Sequence, residues 1–231
     1  MSSRISLDEN AQLTISYPAN NCNVNGKVYD AQEIFPEFLN HTSAQSLTAP
    51  YLSATAYAQS HGKEMIMLEM NSASCGGFAG LSDNFGVALW MADWALQMAW
   101  GNFSAALMHV GGQNVYYNVS RLSLDRAELT PQPFTPPPSN RTTIQQWTTG
   151  SVYYPTLLIA ETLGQTGKAR VVDLLADSAN IYHPAYAIYE DDVPTRLALF
   201  NYIDDASGES DLQVTISING AALAAGSVNV R

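Results

Sequence analysis

Four consecutive apolar residues, Met65-Ile66-Met67-Leu68, stand between the charges of Lys63-Glu64 and Glu69. A run this short, bounded by charge and without alternation, is a strand covered on both faces. Such strands belong to parallel sheets flanked by helices, so the surrounding chain has to supply strand-helix units. It does. Leu13 to Tyr17 reads as a strand stopped at Pro18, and Asp30 can cap a helix carrying Ile34, Phe35, Phe38 and Leu39 despite Pro36. Ser46 to Ser60 is a second helical stretch, interrupted by Pro50 and stopped by Gly62. Beyond the apolar strand, Ser82 or Asp83 is expected to cap a helix over Phe85 to Trp100, closed by Gly101. That helix is apolar nearly all round, which requires burial on several sides. Ser104 to Val110 is another buried strand, and Tyr153 to Leu163 a helix ended by Gly164. This order is that of parallel βαβ units.

After Ala169 the pattern changes. Val171 to Leu175, Ala185 to Tyr189, Arg196 to Tyr202 and Leu212 to Ile218 are strand-like, separated by turn signals at Pro194, Ser207-Gly208 and Asn219-Gly220. The expected division is an alternating part over 1–168 and an antiparallel part over 169–231. Three βα units neither close a barrel nor cover both faces of an open sheet, so the first part is expected to be a fragment or half of an assembly.

Apolar residues make up 46% of the chain and charged residues 13%, enough for a substantial core. A formal net charge of -11 argues against nucleic acid or an anionic membrane as partner. The Phe85–Trp100 segment is too short to span a bilayer. The four His show no metal-ligand spacing, and no nucleotide-binding glycine loop precedes a helix, so neither metal nor cofactor is expected.

The apolar strand delivers one carboxylate, Glu69, into Asn71-Ser72-Ala73-Ser74-Cys75-Gly76-Gly77, a loop rich in donors and poor in bulk. A strand-end Glu has two readings, a cap for the next element or a catalytic group where strands of a barrel end. The loop favours the second, because it suits close binding of a polar ligand. Cys22 and Cys75 each lie just beyond a strand. They are either a disulfide joining two neighbouring loops, which is the expectation, or a site for a reactive thiolate.

Glu69-Met-Asn-Ser-Ala-Ser-Cys-Gly-Gly-Phe78, Ser82-Asp-Asn-Phe-Gly86, His109-Val-Gly-Gly-Gln-Asn-Val-Tyr-Tyr-Asn118 and Gln146-Trp-Thr-Thr-Gly150 resemble the C-terminal half of fungal glycoside hydrolase family 79, whose best-known members are β-glucuronidases. The resemblance implies the C-terminal part of a (β/α)8 TIM barrel, strands six to eight, followed by an incomplete antiparallel β-sandwich domain. It implies Glu69 as the nucleophile of a retaining hydrolase and Tyr17 as its hydrogen-bonding partner. Asn71, Ser74 and Gly76 become substrate contacts, partly through backbone N–H groups, and Gln113 and Tyr116, on the loop after strand eight, either line the pocket or serve the structure. The implied partner is a glucuronic-acid-containing glycan or glycoside.

Retaining hydrolysis needs a second carboxyl group about 5–5.5 Å from the nucleophile. In the family it is the Glu of an Asn-Glu pair after strand four, and this sequence contains no Asn-Glu pair. Ser16 stands before Tyr17 where the family has His. Val119 to Gln132 interrupts what otherwise reads TyrTyrAsn-ProPheThrProProPro; its residues can be encoded by a splice donor, branch point and acceptor, so it is read either as a retained short intron or as a genuine surface insertion. Sequons at Asn40, Asn102, Asn118 and Asn140 point to a secreted parent enzyme, although the chain opens without the apolar core of a signal peptide. Two functions stand at this point. The leading one is a fragment of a retaining β-glucuronidase-like hydrolase, inactive alone; its rival is a non-catalytic carbohydrate-binding or scaffold protein derived from it.

Overall fold

The computed structural model describes residues 11–23, 26, 29–110, 116–118, 134–135, 148–175, 180–218 and 221–222. In chain order come β1 (Ala11–Ser16), β2 (Ala19–Asn20), α1 (Ala31–Phe38), α2 (His41–Thr48), a 3-10 turn at Ala49–Tyr51, α3 (Leu52–Ser60), β3 (Glu64–Met70) and β4 (Ala73–Ser74). They are followed by α4 (Phe85–Trp100), β5 (Ala105–Met108), a 3-10 turn at Tyr116–Asn118, β6 (Phe134–Thr135), β7 (Thr148–Thr149) and α5 (Tyr153–Leu163). Last are β8 (Arg170–Asp173), β9 (Ala185–Glu190), β10 (Val193–Leu199), β11 (Ser217–Ile218) and β12 (Ala221–Ala222).

The fold combines a parallel and an antiparallel sheet. β1, β3 and β5 pair in parallel in the order β1-β3-β5, which puts the apolar strand in the centre. Met65, Ile66 and Met67 are all buried, as a run without alternation requires. β8, β9 and β10 form an antiparallel sheet with β9 in the middle. α4 joins the two. Trp90, Met91, Trp94 and Met98 pack in one cluster with Met67 and Met70, while Ala92 and Leu96 pack with Val171, Tyr186, Ile188 and Phe200. A helix apolar nearly all round therefore serves two cores. Among the described residues, no helix is long and apolar enough to cross a membrane.

Several boundaries differ from the sequence expectation. Asp30 does cap α1, accepting from Gln32 and Glu33 N–H, but α2 begins at His41, capped by Asn40, rather than at Ser46. The cap of α4 is Asn84, neither Ser82 nor Asp83. Those two are spent elsewhere: Ser82 Oγ accepts from Phe78 N–H and bonds Ser72, and Asp83 accepts from Gly80 N–H. Pro194 does not mark a turn. It lies within β10, opposite Tyr189, and the register shifts between it and Arg196, which is where an edge strand tolerates proline. β8 ends at Asp173, since Leu175 adopts a φ of 44°. Of Leu212 to Ile218, only Ser217–Ile218 pairs as strand. The segment 119–132 lies outside the described residues.

Candidate active site at the ends of three parallel strands

Three side chains meet where the three parallel strands end. Tyr17 follows β1, Glu69 lies one residue from the end of β3, and His109 follows β5. Tyr17 O–H donates to Glu69 Oε1 at 2.5 Å, and Tyr17 Oη lies 2.8 Å from His109 Nδ1. His109 Nδ1 is in turn 3.2 Å from the same Oε1. Groups gathered at the carboxyl ends of parallel strands from neighbouring positions form the usual ligand-facing end of such a sheet.

A bulge aims the carboxylate. On the β1 side, Thr14 pairs with Met67 but Ile15 pairs with Glu69, so Leu68 is extra. On the β5 side, Met67 pairs with Ala106 and Met70 with Met108, three steps against two. An extra residue bends and twists the strand locally and re-aims the neighbouring side chains. Met67 and Met70 are fully buried, yet the Glu69 side chain between them keeps 43% of its surface exposed. Its carboxylate therefore meets solvent at the sheet's end.

The loop after Glu69 is held from several directions. β4 pairs in parallel with β2, Asn21 N–H donates to Ser74 O, and Cys22 is disulfide-bonded to Cys75. Cys75, Gly76 and Gly77 have φ of 61°, 88° and 75°, a left-handed run that glycine tolerates and that explains the paired glycines. At Gly77 even a methyl group would meet Ser82 Oγ at 2.5 Å. Tyr116 N–H donates to Gly76 O, and the Tyr117 hydroxyl donates to Ala73 O.

Of the expected substrate contacts, Ser74 and Gly76 lie on this loop at intermediate exposure, and Tyr116 abuts it. Asn71 is different. It is buried, its Nδ2 donates to His109 O at 2.7 Å, and its Oδ1 accepts from Ser72 N–H at 2.7 Å. These bonds tie its amide into the frame of the site. Gln113 lies outside the described residues. His109 was not singled out by the sequence, although it occupies the same strand-end position as Tyr17. Burial pushes the Tyr17 hydroxyl well above its ordinary pKa, reinforced by its bond to Glu69, so it stays a proton donor. Burial and the charge of Glu69 likewise raise Tyr117. Among the described residues no cluster of His, Cys, Asp and Glu fits a metal ion.

A hollow of about 310 Å³ lies elsewhere, between β5 and α5, lined by Ala106, Met108, Val110, Val152 and Tyr153. It is apolar and holds none of the three site residues.

The chain is similar to known proteins both in sequence and in fold. Over 172 residues, 72% of this chain, the sequence is 28% identical to a β-glucuronidase of Aspergillus niger, of which the match covers 28%. In fold, the chain is similar to a 4-O-α-L-rhamnosyl-β-D-glucuronidase of Fusarium oxysporum, solved as a Rha-GlcA complex, with a TM-score of 0.55. That likeness has 22% identity and covers 82% of this chain and 34% of the other. The chain thus spans about a third of the length of the proteins it matches. No protein-family model matches it.

Proposed function

We propose that this chain carries the nucleophile side of a retaining, β-glucuronidase-like glycoside hydrolase. β1, β3 and β5 are read as strands six to eight of a (β/α)8 barrel, and the antiparallel strands as part of a β-sandwich. The observation that carries the reading is a solvent-facing carboxylate at a parallel strand's end, held by a tyrosine that stays protonated. Distant homology to a β-glucuronidase supports the same class of chemistry.

Tyr17 and His109 both engage Oε1, so Oε2 is the oxygen assigned to attack. It forms a bond to the anomeric carbon as the glycosidic C–O bond breaks, and the leaving oxygen takes a proton from a second carboxyl group. Water then releases the sugar from Glu69. The second carboxyl group comes from an Asn-Glu pair in the family resembled, and this sequence has none. The chain is therefore assigned one half of the two-carboxylate chemistry. The 73–77 loop, rich in small residues, is assigned the sugar carboxylate through backbone N–H groups.

The substrate class is tested with 2-deoxy-2-fluoroglycosyl fluorides, whose fluoride leaves without a proton donor. The glucuronyl reagent is expected to label Glu69, the glucosyl reagent to do so far more slowly, and Glu69→Gln to abolish labelling. Equal labelling by both sugars would remove the glucuronide assignment.

A further inference from the structure

We infer that His109 is a positioning residue for Glu69, acting as a donor through Nδ1–H. The inference rests on Glu69 being the nucleophile, but its geometry stands independently.

Tyr17 Oη, Glu69 Oε1 and His109 Nδ1 form a triangle with sides of 2.5, 2.8 and 3.2 Å. An ionised carboxylate brings no proton and tyrosine brings one. The shortest side assigns that proton to Glu69. The remaining two sides then both need a donor at Nδ1. A bare Nδ1 would turn its lone pair toward the phenol oxygen and the carboxylate together, at distances where only a hydrogen between them is favourable. The imidazole therefore carries its proton on Nδ1, shared between Tyr17 Oη and Oε1.

The rest of the frame supports the orientation of the ring. His109 N–H donates to Met70 O at 2.9 Å, within the β3–β5 pairing. Its carbonyl accepts from the buried Asn71, and its ring lies 5.6 Å from that of Tyr117. Asn71, the residue two places after the nucleophile, thus reaches across to fix the backbone of the residue that orients the nucleophile. Two donors on one oxygen stop the carboxylate from rotating, which leaves Oε2 in a fixed place for attack. Displacement of a reacting atom by about 1 Å can cost on the order of 10²-fold in rate.

The substitution series separates a donor from a packing ring. Asn places an N–H the same number of bonds from the backbone as Nδ1, Gln places it one bond farther, and Phe keeps the ring without a donor. With the fluoroglucuronyl reagent, His109→Phe is expected to label Glu69 about 10–100-fold more slowly. His109→Asn is expected to recover most of that loss and His109→Gln little. The reverse order, Phe retained and Asn impaired, makes His109 a packing residue and overturns the inference. If Glu69 labels in no variant, the proposed reaction fails while the proton assignment is still decided by long-range ¹⁵N–¹H spectra of the chain. Loss of one of the four histidine patterns in His109→Asn identifies the signal. Protonated Nδ1 is expected, with a shift on Tyr17→Phe; a neutral ring protonated only on Nε2 overturns the assignment.

Discussion

At the scale of residues, the site depends on how one carboxylate is solvated. Glu69 trades water for two donors on Oε1, one of them from a tyrosine whose burial keeps it protonated. Tyr17→Phe removes that donor and keeps the ring. The rate of labelling of Glu69 is expected to drop roughly 10–100-fold, while urea denaturation shows a stability change of no more than about 1 kcal/mol. A large loss of stability with unchanged labelling would make Tyr17 a structural residue instead. Glu69 was legible as a carboxylate ending a short apolar strand beside a loop with little bulk, and its bond to Tyr17 as what the family resemblance implies. His109 also ends one, but a single histidine without a partner in sequence carries no signal; its partners are 40 and 92 residues away. The bond from Asn71 to His109 O was not legible, because the strand that supplies the carbonyl lies 38 residues away.

Among elements, the join between helices and the antiparallel sheet is polar at its centre. His41 on α2 faces Asp93 on α4 at 3.0 Å and Asp173 on β8 at 3.4 Å. Gln97 also donates to Asp173, and Asp93 accepts from Tyr186 and Tyr202. Burial alone would lower the His41 pKa, but its bonds to Asp173 and Asp93 outweigh this and raise it from 6.5 to about 9. Burial pushes Asp93 up against the pull of His41 and the two tyrosines, whereas His41 helps to hold Asp173 down despite its own burial. A cation favoured in the folded chain stabilises it fully below about pH 6.5, and that contribution disappears as pH rises through about 9. Denaturant midpoints are thus expected to fall between these values, and His41→Leu to flatten that fall. Persistence of the full slope in the variant would place its origin in another group. His41→Ala, which leaves two buried carboxylates facing a void, is expected to cost about 3–5 kcal/mol.

The Cys22–Cys75 bond ties the site loop to the segment after β1 across 53 residues. Chain entropy assigns a loop of that size roughly 4 kcal/mol. Reduction is expected to lower the urea midpoint accordingly and to slow labelling of Glu69; a midpoint that ignores reductant would mean the reduced chain keeps the loop closed by β2–β4 pairing and hydrogen bonds. Both cysteines were visible as residues just beyond strands, and the parallel adjacency of those strands explains why the two meet. Helix caps were less legible. Ser82, Asp83 and Asn84 are all good caps in sequence, and only the demands of Ser72, Phe78 and Gly80 in the preceding loop leave the task to Asn84.

For the whole molecule, the parallel pairing of β1, β3 and β5 and the antiparallel pairing of β8, β9 and β10 could be read from hydrophobic pattern and turn signals, whereas the antiparallel β6–β7 pair between them could not. What the pattern could not give is the role of α4 in serving both clusters, because a surface apolar nearly all round does not say which neighbour takes which side. Among the described residues, β1 and β5 are the outer strands of the parallel sheet, and Leu13 and Ile15 on β1 are 43% and 55% exposed. Open strand edges with apolar side chains invite pairing with other chains. Replacing Leu13 and Ile15 by Lys is expected to reduce concentration-dependent association in sedimentation velocity, and an unchanged distribution would clear this edge of any part in it.

The most direct measurement is to mix the purified chain with β-glucuronyl fluoride, count fluoride released per chain, and map the modified peptide. A nucleophile without its acid/base partner is expected to release at most one equivalent and then stall, with one glucuronyl group on Glu69 and none in Glu69→Gln. An adduct elsewhere, no adduct at all, or steady turnover that survives Glu69→Gln would contradict the account.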